Sequence, residues 1–260
     1  MTDVPPPPPP PENEPPLPAY TAPPAGPPMA APPSTPLVPV PSTPAERVRM
    51  AWQGRSQSDY IFSFWTAFGW TLLTCGFYSF YVIYQLVRRS KEHNLRRLEL
   101  LDAATAFAYE QAQAKGLAEE LRPSFDTIAQ QMATLRQIST EFRDPAIWTI
   151  LRLLGGIVDI IVYILLDGDL VKHDYAEGAI ENELSVIYGR LGAPVVAPDP
   201  ARLKQKHNYV GRVIAAIATC GIYTLFWLYD VMVEGNRHFE HNWAWEDSLA
   251  NGTQQLIATS

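Results

Sequence analysis

Two stretches of this sequence are nearly the same and decide its fold: residues 74–84 read TCGFYSFYVIY, and residues 219–229 read TCGIYTLFWLY. The threonine, cysteine, glycine, first tyrosine and final tyrosine coincide, at a separation of 145 positions. Residues 154–164, LGGIVDIIVYI, lie between them and form a degenerate copy, so that in chain order the copies are one (74–84), two (154–164) and three (219–229). Internal self-similarity of this kind indicates that one structural unit is used three times.

A histidine follows each copy at a fixed distance of 17 residues from the aligned glycine, and no gap is needed. The glycines are Gly76, Gly156 and Gly221, and the histidines are His93, His173 and His238. If the copies pack around a common axis, these imidazoles could converge on a metal ion. Because no HExxH or clustered carboxylate motif accompanies them, the sequence favours histidines that cap helices or line an interface, and it predicts no cofactor.

Each copy lies within an apolar stretch of the chain. Segment one, 60–87, contains no charged residue, and segments two and three cover 146–166 and 213–229. A continuous helix over segment one would be about 42 Å long, which exceeds the ~30 Å hydrocarbon core of a bilayer. The sequence therefore predicts an all-α membrane protein built from three repeated membrane helix units.

A run of three small residues stands at the centre of copies one and three. These residues are Thr74, Cys75 and Gly76, and Thr219, Cys220 and Gly221. Glycine adopts positive φ without a steric penalty, and small residues let helices approach closely in membranes. The pattern favours a broken helix, in which a short helix, a turn and a second helix follow one another. A continuous helix with a packing notch is the alternative.

Basic residues flank segment one on both sides. Arg47, Arg49 and Arg55 precede it, and Arg88, Arg89, Lys91, Arg96 and Arg97 follow it. The positive-inside rule places both flanks in the cytoplasm, which a re-entrant hairpin satisfies and a single span does not. Segment three also has a basic lead-in. The chain is therefore expected in the cell (inner) membrane as a multi-pass protein with a cytoplasmic N-terminal tail, since no signal peptide precedes the tail.

The remaining boundaries follow from shifts in composition. Residues 1–44 hold 20 of the 25 prolines and are predicted to be a disordered tail, either a solvated tether or a docking strip for a protein with an aromatic groove. The other predicted units are membrane repeat 1 (45–97), a cytoplasmic helical region (98–143), membrane repeat 2 with a trailing amphipathic helix (144–192), a linker (193–207), and membrane repeat 3 with a C-terminal helix (208–260).

Local signals place several helix ends. Asp144 and Pro145 are a natural N-cap and first helical residue for segment two. Gly116 and Pro123 are predicted to divide the region 98–143 into two helices. Gly192 is predicted to end an amphipathic helix that begins near His173.

Two ionisable residues, Arg152 and Asp159, lie inside segment two. On one helix they would stand about 10 Å apart along the axis, too far for a direct pair. They are therefore expected to pair with other copies or with another subunit, which leaves a homo-oligomer open. Asp159 is interpreted as a structural polar contact or as part of an ion or proton pathway. Glu181 and Glu246 are interpreted as solvated helix faces, with acid/base groups as the alternative.

The third copy also carries a resemblance to a known family. Thr219, Gly221, Ile222, Tyr223 and Trp227 resemble the T-x-G-I-Y-x-x-x-W signature of a bacterial membrane-protein family catalogued as a domain of unknown function. Copy one resembles the same signature at Tyr78 but has valine at the tryptophan position. The resemblance implies a polytopic membrane fold and no known activity. The aromatic residues after each glycine are expected to anchor or pack the membrane helices.

Composition narrows the classes of function. A net charge of −7 argues against a nucleic-acid partner. The sequence contains no nucleophile elbow, phosphate loop or dinucleotide fingerprint, so an enzyme is not predicted. A membrane scaffold or adaptor is favoured, with lipid and a protein that binds the tail as partners. A component of a small transporter or channel is the alternative.

Overall fold

The computed structural model describes residues 43–199 and 203–259, and all regular structure in these residues is helical. The α-helices are α1 (Pro44–Gln53), α2 (Arg55–Ser58), α3 (Phe64–Leu73), α4 (Tyr78–Ala114), α5 (Arg122–Thr140), α6 (Pro145–Leu151), α7 (Ile157–Leu191), α8 (Tyr209–Ala218) and α9 (Tyr223–Thr259), and a 3-10 turn spans Arg152–Leu154. The predicted all-α class is confirmed. The predicted proline-rich tail lies outside the described residues, except that Thr43 caps α1 and Pro44 begins it.

The repeat appears in the structure as three helical hairpins, α3–α4, α6–α7 and α8–α9. The first helix of each hairpin has 7 to 10 residues, and the second has 35 to 37. A polar contact joins the two arms of each hairpin at its base. Arg89 donates to the carbonyl of Tyr60, Arg143 pairs with Asp169, and Arg212 pairs with Asp230. The two arms of each hairpin are therefore antiparallel, and the start of each short arm lies beside a point within the long arm.

The geometry of the turn in the first hairpin explains why its motif contains threonine, cysteine and glycine. The hydroxyl of Thr74 donates to the carbonyl of Trp70 at 2.7 Å and accepts the N–H of Tyr78 at 2.9 Å. It thereby caps the start of α4 with a side chain that belongs to the end of α3. Cys75 and Gly76 have φ of 49° and 93°, and the N–H of Gly76 bonds to the carbonyl of Thr71 at 2.7 Å. Positive φ at two successive residues reverses the chain, and glycine suits the second.

The third hairpin repeats this turn. Thr219 donates to the carbonyl of Ala215 at 2.8 Å and accepts the N–H of Tyr223 at 2.9 Å. Cys220 and Gly221 have φ of 50° and 91°. The expected helix break is therefore present in both copies, and the alternative of a continuous helix is wrong for them.

The second hairpin reverses in a different way, because its copy lacks the threonine. Gly155 carries the positive φ of 103°, whereas the aligned Gly156 has a helical φ of −61°. This turn folds the 3-10 segment back, so that the guanidinium of Arg152 lies 3.0 Å from the carboxylate of Asp159. The prediction that these two residues are too far apart to pair is wrong, since it assumed one unbroken helix.

The long second arms continue well beyond the apolar segments. α4 passes without interruption through position 98, and α7 runs from Ile157 to Leu191 rather than beginning near His173. The change from apolar to charged sequence at these points is a change of surroundings, and charged residues alone do not end a helix. The predicted helix ends are confirmed: Asp144 caps α6, Gly116 has a φ of 71° after α4, and Gly192 ends α7 with a φ of 94°.

Two apolar cores lie at different levels of the long helices. The core nearer the turns includes Val82, Leu86, Val162, Leu166, Trp227 and Met232. The core farther from the turns includes Leu100, Ala104, Ile128, Leu135, Leu184 and Leu249. The apolar face of α5 therefore packs into this second core. Within residues 43–199 and 203–259, no helix is both long enough and apolar enough to cross a membrane.

One close approach within the first core gives a testable prediction. Gly235 packs against the guanidinium of Arg89, and a Cβ at position 235 would lie 3.0 Å from Cζ of Arg89. That guanidinium cannot move aside cheaply, because it is 2% exposed and donates to the carbonyls of Val231 and Met232 at 3.1 and 3.2 Å. Gly235→Ala should therefore lower the free energy of unfolding by about 1–3 kcal/mol.

Gly189→Ala is the matched control for this prediction. Gly189 also lies inside a long helix, but a Cβ there would meet nothing within 4 Å. Alanine should raise the stability at this position by about 0.5–1 kcal/mol, because it restricts the unfolded chain. Denaturant titrations followed by circular dichroism measure both changes, and the same sign for both would contradict the close approach.

Candidate functional site

The three repeat histidines meet in the interior, between the two apolar cores. His93, His173 and His238 are exposed by 1%, 1% and 8%. Their ring centroids form a nearly equilateral triangle with sides of 5.1, 5.5 and 5.6 Å. Each histidine stands 17 residues after its aligned glycine, and the three long helices run in the same direction away from the turns. Equal spacing along the helices therefore puts the imidazoles at one level. The prediction of capping histidines is wrong, because each lies inside a long helix, whereas the three do line the interface between α4, α7 and α9.

A carboxylate completes this group, which we call the histidine centre: His93, His173, His238 and Glu177. The Nε2 atoms of His93 and His238 are 3.2 Å apart. One oxygen of Glu177 lies 3.5 Å from Nε2 of His238 and 3.6 Å from Nε2 of His173. All four potential ligand atoms lie within 4.8 Å of one another. Imidazole nitrogens and a carboxylate in this arrangement form a donor set typical of transition-metal ions.

Two carboxylates outside the histidine centre orient two of its imidazoles. Nδ1 of His93 lies 2.9 Å from a carboxylate oxygen of Asp59, which stands just after α2. Nδ1 of His238 lies 3.3 Å from a carboxylate oxygen of Asp174. A carboxylate on Nδ1 directs the Nε2 lone pair of the imidazole into the centre. Neither nitrogen of His173 has a hydrogen-bond partner in the described part of the chain.

One helical turn farther from the hairpin turns than the histidines, the interior contains charged and polar residues that are fully buried. Arg97, Glu177 and Asn242 each follow a repeat histidine by four residues, one helical turn, and are 0% exposed. Arg97 pairs with Glu177, with Glu181 at 2.5 Å and with Glu246 at 2.9 Å. The interpretation of Glu181 and Glu246 as solvated helix faces is therefore wrong, because both are 0% exposed.

The surroundings of the histidine centre hold His93 and Glu177 in the protonation states that can bind a metal ion. Burial lowers the pKa of His93 to about 3, against the opposing field of Asp59. Burial would raise the pKa of Glu177, but Arg97 and the neighbouring histidines hold it well below its usual range. At neutral pH His93 is therefore an uncharged imidazole and Glu177 an ionised carboxylate, which are the forms that bind metals.

No protein-family model, curated protein or solved structure matches this chain. The likeness of Thr219–Trp227 to a membrane-protein signature therefore stays a prediction. The function has to be inferred from the residues of the chain itself.

A second cluster of polar side chains lies beside the histidine centre. Asp167, His207 and Glu234 bring their ligand atoms together. The ammonium of Lys204 lies 2.6 Å from Asp167 and 2.5 Å from Glu234. Because this lysine pairs with both carboxylates, the cluster is an ion-pair network that fastens residues 203–207 onto α7 and α9.

Exposed apolar side chains are concentrated on the three hairpins. Of the 18 large apolar side chains that are more than half exposed within the described residues, 15 lie on the hairpins, in the short arms, the turns or the first residues of the long arms. They are Trp65, Trp70, Leu72, Leu73, Phe77, Ile147, Ile150, Leu153, Leu154, Ile157, Val210, Ile214, Ile217, Ile222 and Phe226. Cys75 and Cys220 are exposed at two of the turns. Trp227 differs from the membrane anchors expected after each glycine, since it is 0% exposed and fills the first core.

Proposed function

We propose that this protein is a membrane scaffold whose three hairpins insert into one leaflet of the bilayer and whose long helices form a fixed bundle in the cytoplasm. The location of the exposed apolar side chains carries the proposal. A soluble monomer rarely exposes so large an apolar surface, and a surface of this kind marks a contact with lipid or protein. Its division among three equivalent turns at one end of the bundle favours lipid.

The depth of the hairpins supports insertion into a single leaflet. Twelve residues separate Gly76 from Arg88, the first charged residue of α4, and nine separate Gly221 from Asp230. These helical lengths correspond to about 18 Å and 14 Å. Half of the ~30 Å hydrocarbon core is about 15 Å. The turns of hairpins one and three would therefore reach the middle of the bilayer, and both arms would return to the cytoplasmic side.

The backbone hydrogen bonds of the turns are compatible with a position inside the hydrocarbon core. Backbone polar groups inside hydrocarbon must find partners within the protein. At Thr74 and Thr219 the side chain supplies a cap for the first N–H of the second helix, and the glycine N–H of each turn is bonded to the first helix. The Thr-Cys-Gly motif therefore closes a hairpin with few unsatisfied backbone groups.

The interior of the hairpins favours a scaffold over a transport path. Val82, Val162 and Trp227 each stand six residues after an aligned glycine, and all three are at most 2% exposed within one apolar cluster. Asp159 is neutralised by Arg152, whose guanidinium also lies 4.9 Å from the ring centroid of Phe80. These contacts support a structural role for Asp159. The proline-rich sequence 1–44 supports a cytoplasmic protein partner with an aromatic groove.

The two native cysteines allow a direct test, because the chain has only Cys75 and Cys220. An environment-sensitive fluorophore attached at either position, with the other changed to serine, should shift its emission to the blue in lipid vesicles. A nitroxide in the middle of the acyl chain should quench it strongly, and aqueous iodide should not. The physical reason is that both side chains sit at hairpin tips.

The control is the same fluorophore at position 254, in a Gln254→Cys variant without the native cysteines. Gln254 is exposed at the far end of α9, so iodide should quench this label. Cysteines at Gln57 and Leu95, which flank hairpin one, should both react with an impermeant maleimide from the cytoplasmic face. Iodide quenching at the tips, or labelling of the two flanks from opposite faces, would reject the proposal.

A further inference from the structure

We propose that His93, His173, His238 and Glu177 bind one divalent transition-metal ion, with zinc as the favoured occupant. A tetrahedral zinc ion with ligand bonds of about 2.0–2.1 Å holds its ligand atoms about 3.3–3.4 Å apart. Three separations between ligand atoms in the centre are 3.2, 3.5 and 3.6 Å, and all four atoms lie within 4.8 Å of one another. They therefore reach a tetrahedral shell if the longer separations shrink by about 1.5 Å or less.

A hydrogen-bond network without metal is the competing explanation, and Asn242 is its centre. The side-chain nitrogen of Asn242 lies 3.0 Å from Glu177, 3.2 Å from His238 and 3.5 Å from His93. That network leaves both nitrogens of the buried His173 without a hydrogen-bond partner in the described residues. A buried imidazole without a hydrogen bond costs free energy. Nε2 of His173 has only the 3.6 Å contact with Glu177, and a metal ion at the centre would give this nitrogen a direct bond.

The buried charges around the histidine centre also favour the binding of a cation. Four buried carboxylates lie in or around it: Asp59, Asp174, Glu177 and Glu246. In the described ion pairs, Arg96 and Arg97 are the arginines that face them. Uncompensated negative charge is strongly unfavourable in the interior of a protein. A divalent ion bound by neutral imidazoles would offset the excess.

The surroundings offer the second shell and the access that a metal site needs. Asp59 and Asp174 lie on the Nδ1 atoms of His93 and His238, as outer carboxylates do in zinc sites. A surface cleft of about 400 Å³ reaches His238, and its charged lining includes Asp174, Glu234, Lys204 and Arg237. The cleft therefore connects the centre with solvent and gives an ion a route of entry.

The identity of the ligands indicates what the ion would do. Four protein ligands fill a tetrahedral shell, which is the pattern of a structural metal site rather than a catalytic one. The ligands come from α4, α7 and α9, the long arms of all three hairpins. The ion would therefore join the three repeats at the level where the apolar core of the hairpins meets the charged bundle. This inference does not depend on the membrane location.

The test uses the full-length protein purified in detergent. Elemental analysis should find about one zinc ion per chain after expression with zinc, and the chelated protein should take up Co²⁺ with the intense visible absorption of tetrahedral cobalt. His173→Gln should weaken Co²⁺ binding more than 100-fold, since even outer-shell changes cost roughly 10–100-fold. Asp59→Asn should weaken it by about that outer-shell factor.

His241→Gln is the matched control, because His241 is an exposed histidine three residues from His238 and should leave binding unchanged. Circular dichroism checks that every variant keeps its helical content. In the wild type, metal should raise the midpoint of thermal unfolding, a shift that does not rely on any variant. Folded wild-type protein that takes up neither zinc nor cobalt, or His173→Gln protein that binds as well as wild type, would overturn the proposal in favour of the Asn242 network.

Discussion

Replacing Arg97 with leucine should lower the free energy of unfolding by about 3–5 kcal/mol, the range seen when one partner of a buried ion pair is removed. Arg97 is 0% exposed and faces Glu177, Glu181 and Glu246, which are equally buried. Leucine fills part of the volume but leaves three carboxylates without their shared cation. Urea titration of the purified protein in detergent, followed by circular dichroism, measures the change.

Arg136→Leu is the control for this result. Arg136 also forms an ion pair, with Asp102 at 3.3 Å, but its side chain is 58% exposed. A pair in solvent contributes only about 0–1 kcal/mol, so the stability should barely change. Similar losses for the two variants would contradict the burial of Arg97, because they would show that water reaches its ion pairs as it reaches those of Arg136.

The architecture of the hairpins was predictable because its signals are local. A positive φ at Gly76 or Gly221 is written into the sequence by glycine itself, and the threonine two residues earlier supplies the cap. Both act over a few residues. Copy two, residues 154–164, has no such threonine, and its positive φ falls at Gly155, one residue before the aligned Gly156.

The errors arose where tertiary geometry decides. The Arg152–Asp159 pair forms because a turn lies between the two residues, so their separation along one helix does not apply. The full lengths of α4 and α7 do not follow from the sequence, because a shift from apolar to charged residues predicts a boundary that is absent. A helix crosses such a shift freely when each half is packed in a different environment.

The histidine centre was only partly predictable. The spacing identified His93, His173 and His238 as equivalent, but it did not indicate that Glu177 joins them. One turn further along, the equivalent residues are Arg97, Glu177 and Asn242. They match in position and complement one another in chemistry, as a cation, an anion and an amide. A comparison based on residue identity cannot detect such a layer, whereas extending the repeat alignment by four residues would have brought the three together.

Trp227→Ala should lower the free energy of unfolding by about 3–5 kcal/mol, the cost of a large cavity in a packed core. Trp227 is 0% exposed, belongs to the core between the hairpins, and lies under the guanidinium of Arg212, 5.5 Å from the ring centroid. Its loss removes packing from all three hairpins at once, because the equivalent positions in the other copies hold the smaller valines 82 and 162. Denaturant titration by circular dichroism tests this.

Phe226→Ala separates packing from contact with lipid. Phe226 precedes Trp227 in the same helix but is 64% exposed, so its removal should leave stability in detergent within about 0.5 kcal/mol. It should instead weaken binding to vesicles in a flotation assay, since it removes apolar area from the face proposed to meet lipid. If Phe226→Ala destabilised the fold as much as Trp227→Ala and left vesicle binding unchanged, Phe226 would belong to the protein interior and the proposed lipid-facing surface would be misplaced.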